Sequence, residues 1–242
     1  MKIIASIECR MTSTRLPGKV LMNALDNMSM LEVMIKRVKN SKLIDGIVLA
    51  TTTNKDDDSI VELAKRLDVD FFRGSENDVL SRVVEAHKSV GTDIIVELTG
   101  DCPLIDPLLI DQCVEVFLDN KYDYVSNNYK RTFPDGSDVQ VFSLKVLEEA
   151  DNATLDPLDR EHVSKYLYEN KKYSIYTVEA KDEYYWPTLA VTLDEKEDYE
   201  LIKDIFNYFD NIDFSTLDYI EYLKNNMYLV EINAHVSRKG LN

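Results

Sequence analysis

Cysteine is nearly missing from this 242-residue chain: Cys9, Cys102 and Cys113 are odd in number, and no two have CxxC spacing. That argues against a disulfide framework or a cysteine zinc site and points to a reducing cytoplasm. Long apolar runs are missing as well. No stretch approaches the ~18 consecutive apolar residues of a membrane-spanning helix, so membrane insertion is not expected. The opening Met1–Ile7 is soon interrupted by Glu8 and Arg10. It is too short for a secretory leader and reads as a first buried strand. Glycine is scarce, and the GxGxxG fingerprint of dinucleotide-binding folds does not occur. Gly18-Lys19 is followed by Val20 rather than Ser or Thr, which excludes a P-loop. Positive charge is the minority sign: 28 basic against 44 acidic residues leave a formal charge of −16. Such a field disfavours nonspecific binding to DNA, RNA or an anionic membrane.

What is present suffices for a large core, with 45% hydrophobic and 30% charged residues. The first half alternates short apolar runs with amphipathic stretches. Lys2–Ile7, Gly46–Thr51, Val69–Phe72, Asp93–Leu98 and Asp123–Ser126 are predicted strands. Met30–Val38, Ser59–Leu67, Val79–Lys88 and Leu108–Leu118 carry apolar residues at helical spacing. This alternation predicts an α/β fold, with a parallel sheet covered on both faces and ligands at the carboxyl ends of its strands. The second half is less regular. Val139–Phe142, Ser174–Val178 and Leu189–Thr192 are predicted strands, and Leu158–Glu169, Tyr199–Phe209 and Leu217–Leu223 predicted helices. Beyond Tyr228 no period is evident. No repeat, low-complexity segment or Pro/Gly/Ser linker divides the chain, so 1–242 is expected to be one domain with an inserted lobe.

Three places stand out chemically. Arg10-Met11-Thr12-Ser13-Thr14-Arg15-Leu16-Pro17-Gly18-Lys19 follows the first strand and gathers three cations and three hydroxyls in an otherwise acidic protein. Hydroxyls and backbone N–H groups cradle phosphate oxygens, Arg adds bidentate contacts and Lys a point charge. The plain alternative is a solvated basic loop. Asp101, in Gly100-Asp101-Cys102-Pro103, stands at a strand tip, where a carboxylate either binds a hard cation such as Mg²⁺ or forms an Asx turn or cap. Asp194, after Leu189–Thr192, leaves the same choice between ligand and helix cap. The acids behind it, Glu195, Glu197 and Asp198, are expected to form a solvated first turn. Asp56-Asp57-Asp58 has the form of a glycosyltransferase DxD motif, but it opens a helix, so capping is its expected role. Packing is expected of Tyr184-Tyr185-Trp186 ahead of sugar stacking. Cys9 and Cys102 read as small apolar neighbours.

Ser13-Thr14-Arg15-Leu16-Pro17-Gly18-Lys19 resembles the signature loop of the cytidylyltransferases that activate sugar acids, the KDO and sialic acid CMP-transferases. The spore-coat polysaccharide biosynthesis branch is resembled more closely still, over nearly the whole chain. Its motifs occur in order at Phe72-Arg73-Gly74-Ser75-Glu76-Asn77-Asp78-Val79-Leu80, Thr99-Gly100-Asp101-Cys102-Pro103-Leu104, Phe133-Pro134-Asp135-Gly136 and Asp159-Arg160-Glu161-His162-Val163. The chain departs from that branch at Glu8-Cys9, where Gln-Ala is more frequent, and at Thr12, where Gly is common.

The resemblance implies a Rossmann-like, GT-A-like nucleotidyltransferase fold in three layers, with a mostly parallel central sheet and an inserted substrate and dimerisation lobe. It implies transfer of CMP from CTP, or of another nucleotide from its triphosphate, to a sugar acid or sugar phosphate with pyrophosphate release. Surface polysaccharide biosynthesis, an Mg²⁺ cofactor and a homodimer come with it. The chain then divides into a nucleotide-binding half (1–128), an acceptor lobe (129–190) and a metal-bearing strand end with C-terminal helices (191–242). Lys19, Arg15, Asp101 and Asp194 would be catalytic, with the two aspartates as metal ligands. Arg10, Ser13, Thr14, Gly18, Ala50, Thr51, Arg73, Asn77, Asp78, Arg82 and Gly100 would bind the nucleotide. Asn127, Asn128, Asp135, Gly136, Asp138, Arg160, Glu161 and His162 would line the acceptor pocket. Taken as bare residues, Arg73, Asn77, Asp78 and Arg82, with Ala50 and Thr51, are equally compatible with loop polarity and helix capping, and His162 with a partly buried helix residue facing Leu158 and Tyr166. The competing classes are a GT-A-type glycosyltransferase using a nucleotide-sugar and a nonenzymatic nucleotide-binding module.

Overall fold

The computed structural model of the protein describes residues 1–238. Its first strand, β1 (Ile3–Glu8), is buried along nearly its whole length, as a strand between two helical layers must be. The basic loop leads from it to a small hairpin, β2 (Asn23–Leu25) and β3 (Met28–Ser29), and then to α1 (Met30–Val38). Strand–helix units follow: β4 (Gly46–Thr52) with α2 (Asp58–Arg66), β5 (Asp70–Gly74) with α3 (Val79–Val90), and β6 (Ile94–Thr99) with α4 (Pro107–Asp119). After β7 (Tyr124–Ser126) and β8 (Gln140–Ser143) come α5 (Leu144–Ala153), α6 (Pro157–Glu161), α7 (Lys165–Glu169) and β9 (Ile175–Thr177). The helices α8 (Lys196–Phe209), α9 (Thr216–Asn225) and α10 (Met227–Val230) complete the order.

The central sheet runs β5-β4-β1-β6-β8-β7-β9, and only β8 is antiparallel to its neighbours. From β1 the chain builds outward through β4 and β5, then returns to the other side of β1 with β6. The crevice between β1 and β6 is therefore a switch point, where open α/β sheets bind ligands. Register brings the strand tips level there: Glu8 stands opposite both Ala50 and Thr99. Side-chain alternation splits β1 between two cores. Ile3, Ala5 and Ile7 pack with α1, α2 and α4, whereas Ile4 packs with α3, α5 and α7. A third core joins α8 and α9 to Leu189, Val191 and Leu193.

Two predicted elements are corrected. The helix expected over Leu158–Glu169 is two short ones, α6 and α7, because Val163 adopts φ +45°. A β-branched residue seldom enters that left-handed region, and here Val163 is buried against the α3 core. Leu189–Thr192 forms no sheet strand; a single bridge joins Ala190 to Asp135. Helix α5 went unpredicted because only Leu147 and Ala150 of its ten residues are buried, too narrow a stripe to show a period.

Candidate active site

The crevice is built by close backbone approach. Gly100 donates its N–H to the Glu8 carbonyl at 2.9 Å, and a Cβ on it would lie 2.7 Å from that oxygen. Only glycine lets β1 and β6 converge this tightly. The basic loop springs from that junction. Gly18 closes it by donating to the Met11 carbonyl at 2.8 Å, and Cys9 donates to the Ala50 carbonyl. Ser13 is half-buried, and Thr14 and Arg15 are exposed on the loop's outer rim.

Lys19 is nearly buried at the loop's end, and its Nζ lies 3.0 Å from Asp101 Oδ2 and 3.0 Å from Asp194 Oδ1. Arg15 reaches the same Asp194 oxygen at 2.8 Å. The backbone supports the pairing, since Leu193 donates to the Asp101 carbonyl at 2.8 Å. Burial favours a neutral Lys19, but the two carboxylates outweigh it and hold its pKa above the ordinary value. Burial likewise opposes ionisation of Asp101, and Lys19 overrides it, leaving the carboxyl below its usual range. Residues 93 positions apart in sequence thus meet on one ammonium group. Neither aspartate is a helix cap: Asp106 caps α4 and Glu195 caps α8.

The Mg²⁺ ion implied by the family resemblance fits this donor set. Magnesium is held by one or two carboxylates, with phosphate oxygens and water filling its octahedron. Among the described residues no group of three or more His, Cys, Asp or Glu gathers to hold a metal, so substrate and water would supply the other ligands.

The remaining residues expected to bind the nucleotide divide. Arg73 is tied down by Thr52 and Asn54 carbonyls and by Asp58. Ala50 and Thr51 are fully buried at the end of β4, and Asn77 is exposed. Asp78 caps α3 and pairs with Arg160 at 2.7 Å, so Arg160 stands with the nucleotide-side group rather than beside Asp135 and Asp138. Two acids hold the loop: Glu76, to which the sequence reading gives no role, and Asp57, which it reads as a cap. Glu76 accepts from Arg10, Thr12 and Asn54. Asp57 is buried and accepts from Met11 N at 2.7 Å and from both the N–H and the hydroxyl of Thr52. Asp57 occupies the N-cap position of α2, but its side chain makes no cap hydrogen bond, so the side-chain capping expected of it is corrected. Of the two acids a DxD motif would use, Asp56 and Asp58, the second is paired with Arg73 at 2.6 Å.

On the acceptor side, Gly136 has φ +103°, and an added Cβ would lie 2.8 Å from the Thr192 nitrogen. This contact presses the Asp135–Asp138 turn against the segment that ends in Asp194. Asn127 staples the turn through Ser137 and Val139, and Asn128 donates to Asp138. Arg131, missed in the sequence, grips Asp138 with both terminal nitrogens and lies 3.2 Å from Asp135. Glu161 and His162 are exposed at the end of α6. Asp198, expected in a solvated turn, is instead fully buried, where Arg238 and Asn233 hold it.

On the α3 side of the strand tips lies unmatched polarity. Both carboxylate oxygens of Glu8 are closed off from solvent and without a hydrogen-bond partner, as are one oxygen of Glu97 and the Nε of Arg82. Burial pushes the Glu8 pKa up to about 7, and that of Glu97 well above its usual value. Burial raises the thiols of Cys9 and Cys102 as well, which suits inert packing rather than nucleophiles.

A mostly parallel sheet bearing a cation-rich loop and two carboxylates at its switch point is the frame of a nucleotidyltransferase. A family model described as cytidylyltransferase matches residues 4–235. The spore coat polysaccharide biosynthesis protein SpsF of Bacillus subtilis is 33% identical over 210 residues, covering 84% of this chain and 86% of SpsF. A solved cytidylyltransferase from Leptospira borgpetersenii is 36% identical with a TM-score of 0.88, over 98% of each chain. The fold is shared more widely. CMP:2-keto-3-deoxy-manno-octonic acid synthetase, solved with CTP, superposes with a TM-score of 0.66 at 16% identity, over 86% of this chain and all of that one. This chain belongs to the cytidylyltransferase family.

Proposed function

We propose that the enzyme transfers CMP from CTP to a sugar acid or sugar phosphate, releasing pyrophosphate, in the synthesis of a surface polysaccharide. The observation that carries this reading is the Lys19 bridge between Asp101 and Asp194 beneath the loop Arg10–Lys19. Cations suited to a triphosphate and oxygen donors suited to a metal meet there at the sheet's switch point. Cytidylyl transfer is the activity by which the family and the Leptospira relative are described, and SpsF gives the polysaccharide context.

In this reading Lys19 and Arg15 exchange their aspartate partners for phosphoryl oxygens. They offset the charge that spreads there as the acceptor oxygen attacks the α-phosphorus in line and pyrophosphate leaves. Arg10, Ser13, Thr14 and the loop's N–H groups cradle the outer phosphates. Mg²⁺ held by Asp101 and Asp194 would polarise the α-phosphate. The 129–190 lobe receives the sugar beside Asp135 and Asp138. A sugar 1-phosphate would attack as an anion without a base. The family resemblance extends the proposal to a homodimer, with the same lobe as its contact surface.

Thermal unfolding with CTP, GTP, UTP and ATP, each with and without Mg²⁺, tests the reading. A ligand bound only by the folded state at 100 times its Kd adds about 2.7 kcal/mol of stability. We expect a shift selective for CTP that grows with Mg²⁺, followed by pyrophosphate release when an acceptor is supplied. A shift with a nucleotide-sugar alone would transfer the enzyme to the glycosyltransferases.

A further inference from the structure

The segment after α10 returns to the site. Asn233 Nδ2 donates to Asp198 Oδ1 at 2.8 Å and to the Ala190 carbonyl at 3.0 Å. Five residues later, Arg238 sets its guanidinium on the Asp198 carboxylate through both terminal nitrogens. Asp198 is fully buried, and its Oδ2 also accepts the backbone N–H groups of Asp194 at 3.0 Å and Glu195 at 2.8 Å. One carboxylate thus fixes the peptide that carries Asp194, and one guanidinium compensates that carboxylate. Arg238 also lies 3.9 Å from Asp194 Oδ2, the oxygen not engaged by Lys19 and Arg15. Its side chain is itself nearly buried, at 7% exposure. A buried charge left without its partner relaxes its surroundings or takes up a proton, and the first neighbours to move here are the Asp194 and Glu195 peptides.

We infer that Arg238 is a positioning residue of the active site. Acting through Asp198, it holds Asp194 in the orientation that faces Asp101 across Lys19, and it keeps Asp194 Oδ2 turned toward a cationic neighbour. The C-terminal segment is therefore part of the reacting centre's support, although 40 residues separate Arg238 from Asp198. The inference rests on the proposed role of Asp194 as a metal ligand.

The test uses the full chain and two variants, Arg238→Ala and Arg238→Lys. Partners that orient a metal ligand change metal affinity or activity by about 10- to 100-fold. For Arg238→Ala we therefore expect the Mg²⁺ concentration giving half of the CTP-dependent thermal shift to rise about tenfold. The kcat should fall by a similar factor, with the KM for CTP changing less. Arg238→Lys keeps the charge but loses the two-pronged grip, and should fall between wild type and Arg238→Ala. If Arg238→Ala merely lowers the unfolding temperature, with the Mg²⁺ midpoint and kcat unchanged, Arg238 only fastens the tail and the inference is overturned. Should Arg238→Ala not fold, an Mg²⁺ midpoint for Arg238→Lys equal to wild type overturns it equally. A wild-type protein that shows no Mg²⁺-dependent response to CTP removes the proposed function, and this inference with it. Failure confined to the variants removes this inference alone.

Discussion

The two faces of the strands around β1 are built on opposite terms. On one, Ile3, Ala5, Ile7, Leu49 and Val96 meet α1, α2 and α4 in a dry, interlocked core. On the other, Ile4, Val48 and Ile95 give way toward the strand tips to Ser6, Glu8 and Glu97 beside Arg82, where several polar atoms are buried without a partner. A buried polar group without a partner costs about 1–3 kcal/mol, so this face is a poor place to look for stability. It is the face on which Arg82 stands near both Glu8 and Arg10, the first residue of the basic loop. One layer stabilises the sheet, and the other tolerates a local cost beside the candidate site.

Three substitutions test this division. The largest effect is expected from Lys19→Ala at the crest, where both carboxylates lose their shared cation. Steady-state turnover should fall about 100- to 1,000-fold, the scale of losing a preorganised charge-stabilising group, while circular dichroism shows the fold retained. A near-normal rate would take Lys19 out of the mechanism. Next is Leu49→Ala on the dry face, which should cost about 2–5 kcal/mol in denaturant unfolding. Activity per folded molecule should stay level; a selective loss of rate would break the comparison.

The third is Glu8→Gln on the polar face, and its sign depends on pH. The folded-state pKa of Glu8 is raised from 4.5 to about 7 by burial. The folded protein therefore holds this proton more tightly than the unfolded chain. The stability associated with it is present below pH 4.5, is lost as pH rises toward 7, and changes no further above that. Glutamine, which cannot ionise, should gain on the order of 3 kcal/mol over wild type at pH 8 and nothing at pH 4. Equal stabilities at pH 8 would mean that Glu8 finds a partner in solution.

Much of this was legible in the sequence, for reasons that can be named. Helix α1 coincides with its apolar period because Ser29 caps it and its apolar residues pack into two neighbouring cores. The strand tips bearing Asp101 and the loop ending in Lys19 lie beside strong local signals. What could not be read is pairing over distance. Asp57 looked like a cap until the fold brought Met11 to it, and Arg131 carried no signal until Asp135 and Asp138 closed on it. Arg238 lies in a stretch with no period at all, so only the folded chain shows it reaching Asp198. Val163 defeats helix periodicity because the pattern of apolar residues continues through it while the backbone does not.

The buried thiols turn the protein into its own recorder of opening. Cys9, Cys102 and Cys113 are each at most 3% exposed, so a thiol reagent must wait for local or global unfolding to reach them. All three side chains join the dry core, but Cys9 precedes the basic loop and Cys102 follows Asp101, whereas Cys113 lies within α4. The labelling rates of the first two, measured against the third, would time the breathing of the loop and strand tip separately from the unfolding of the sheet.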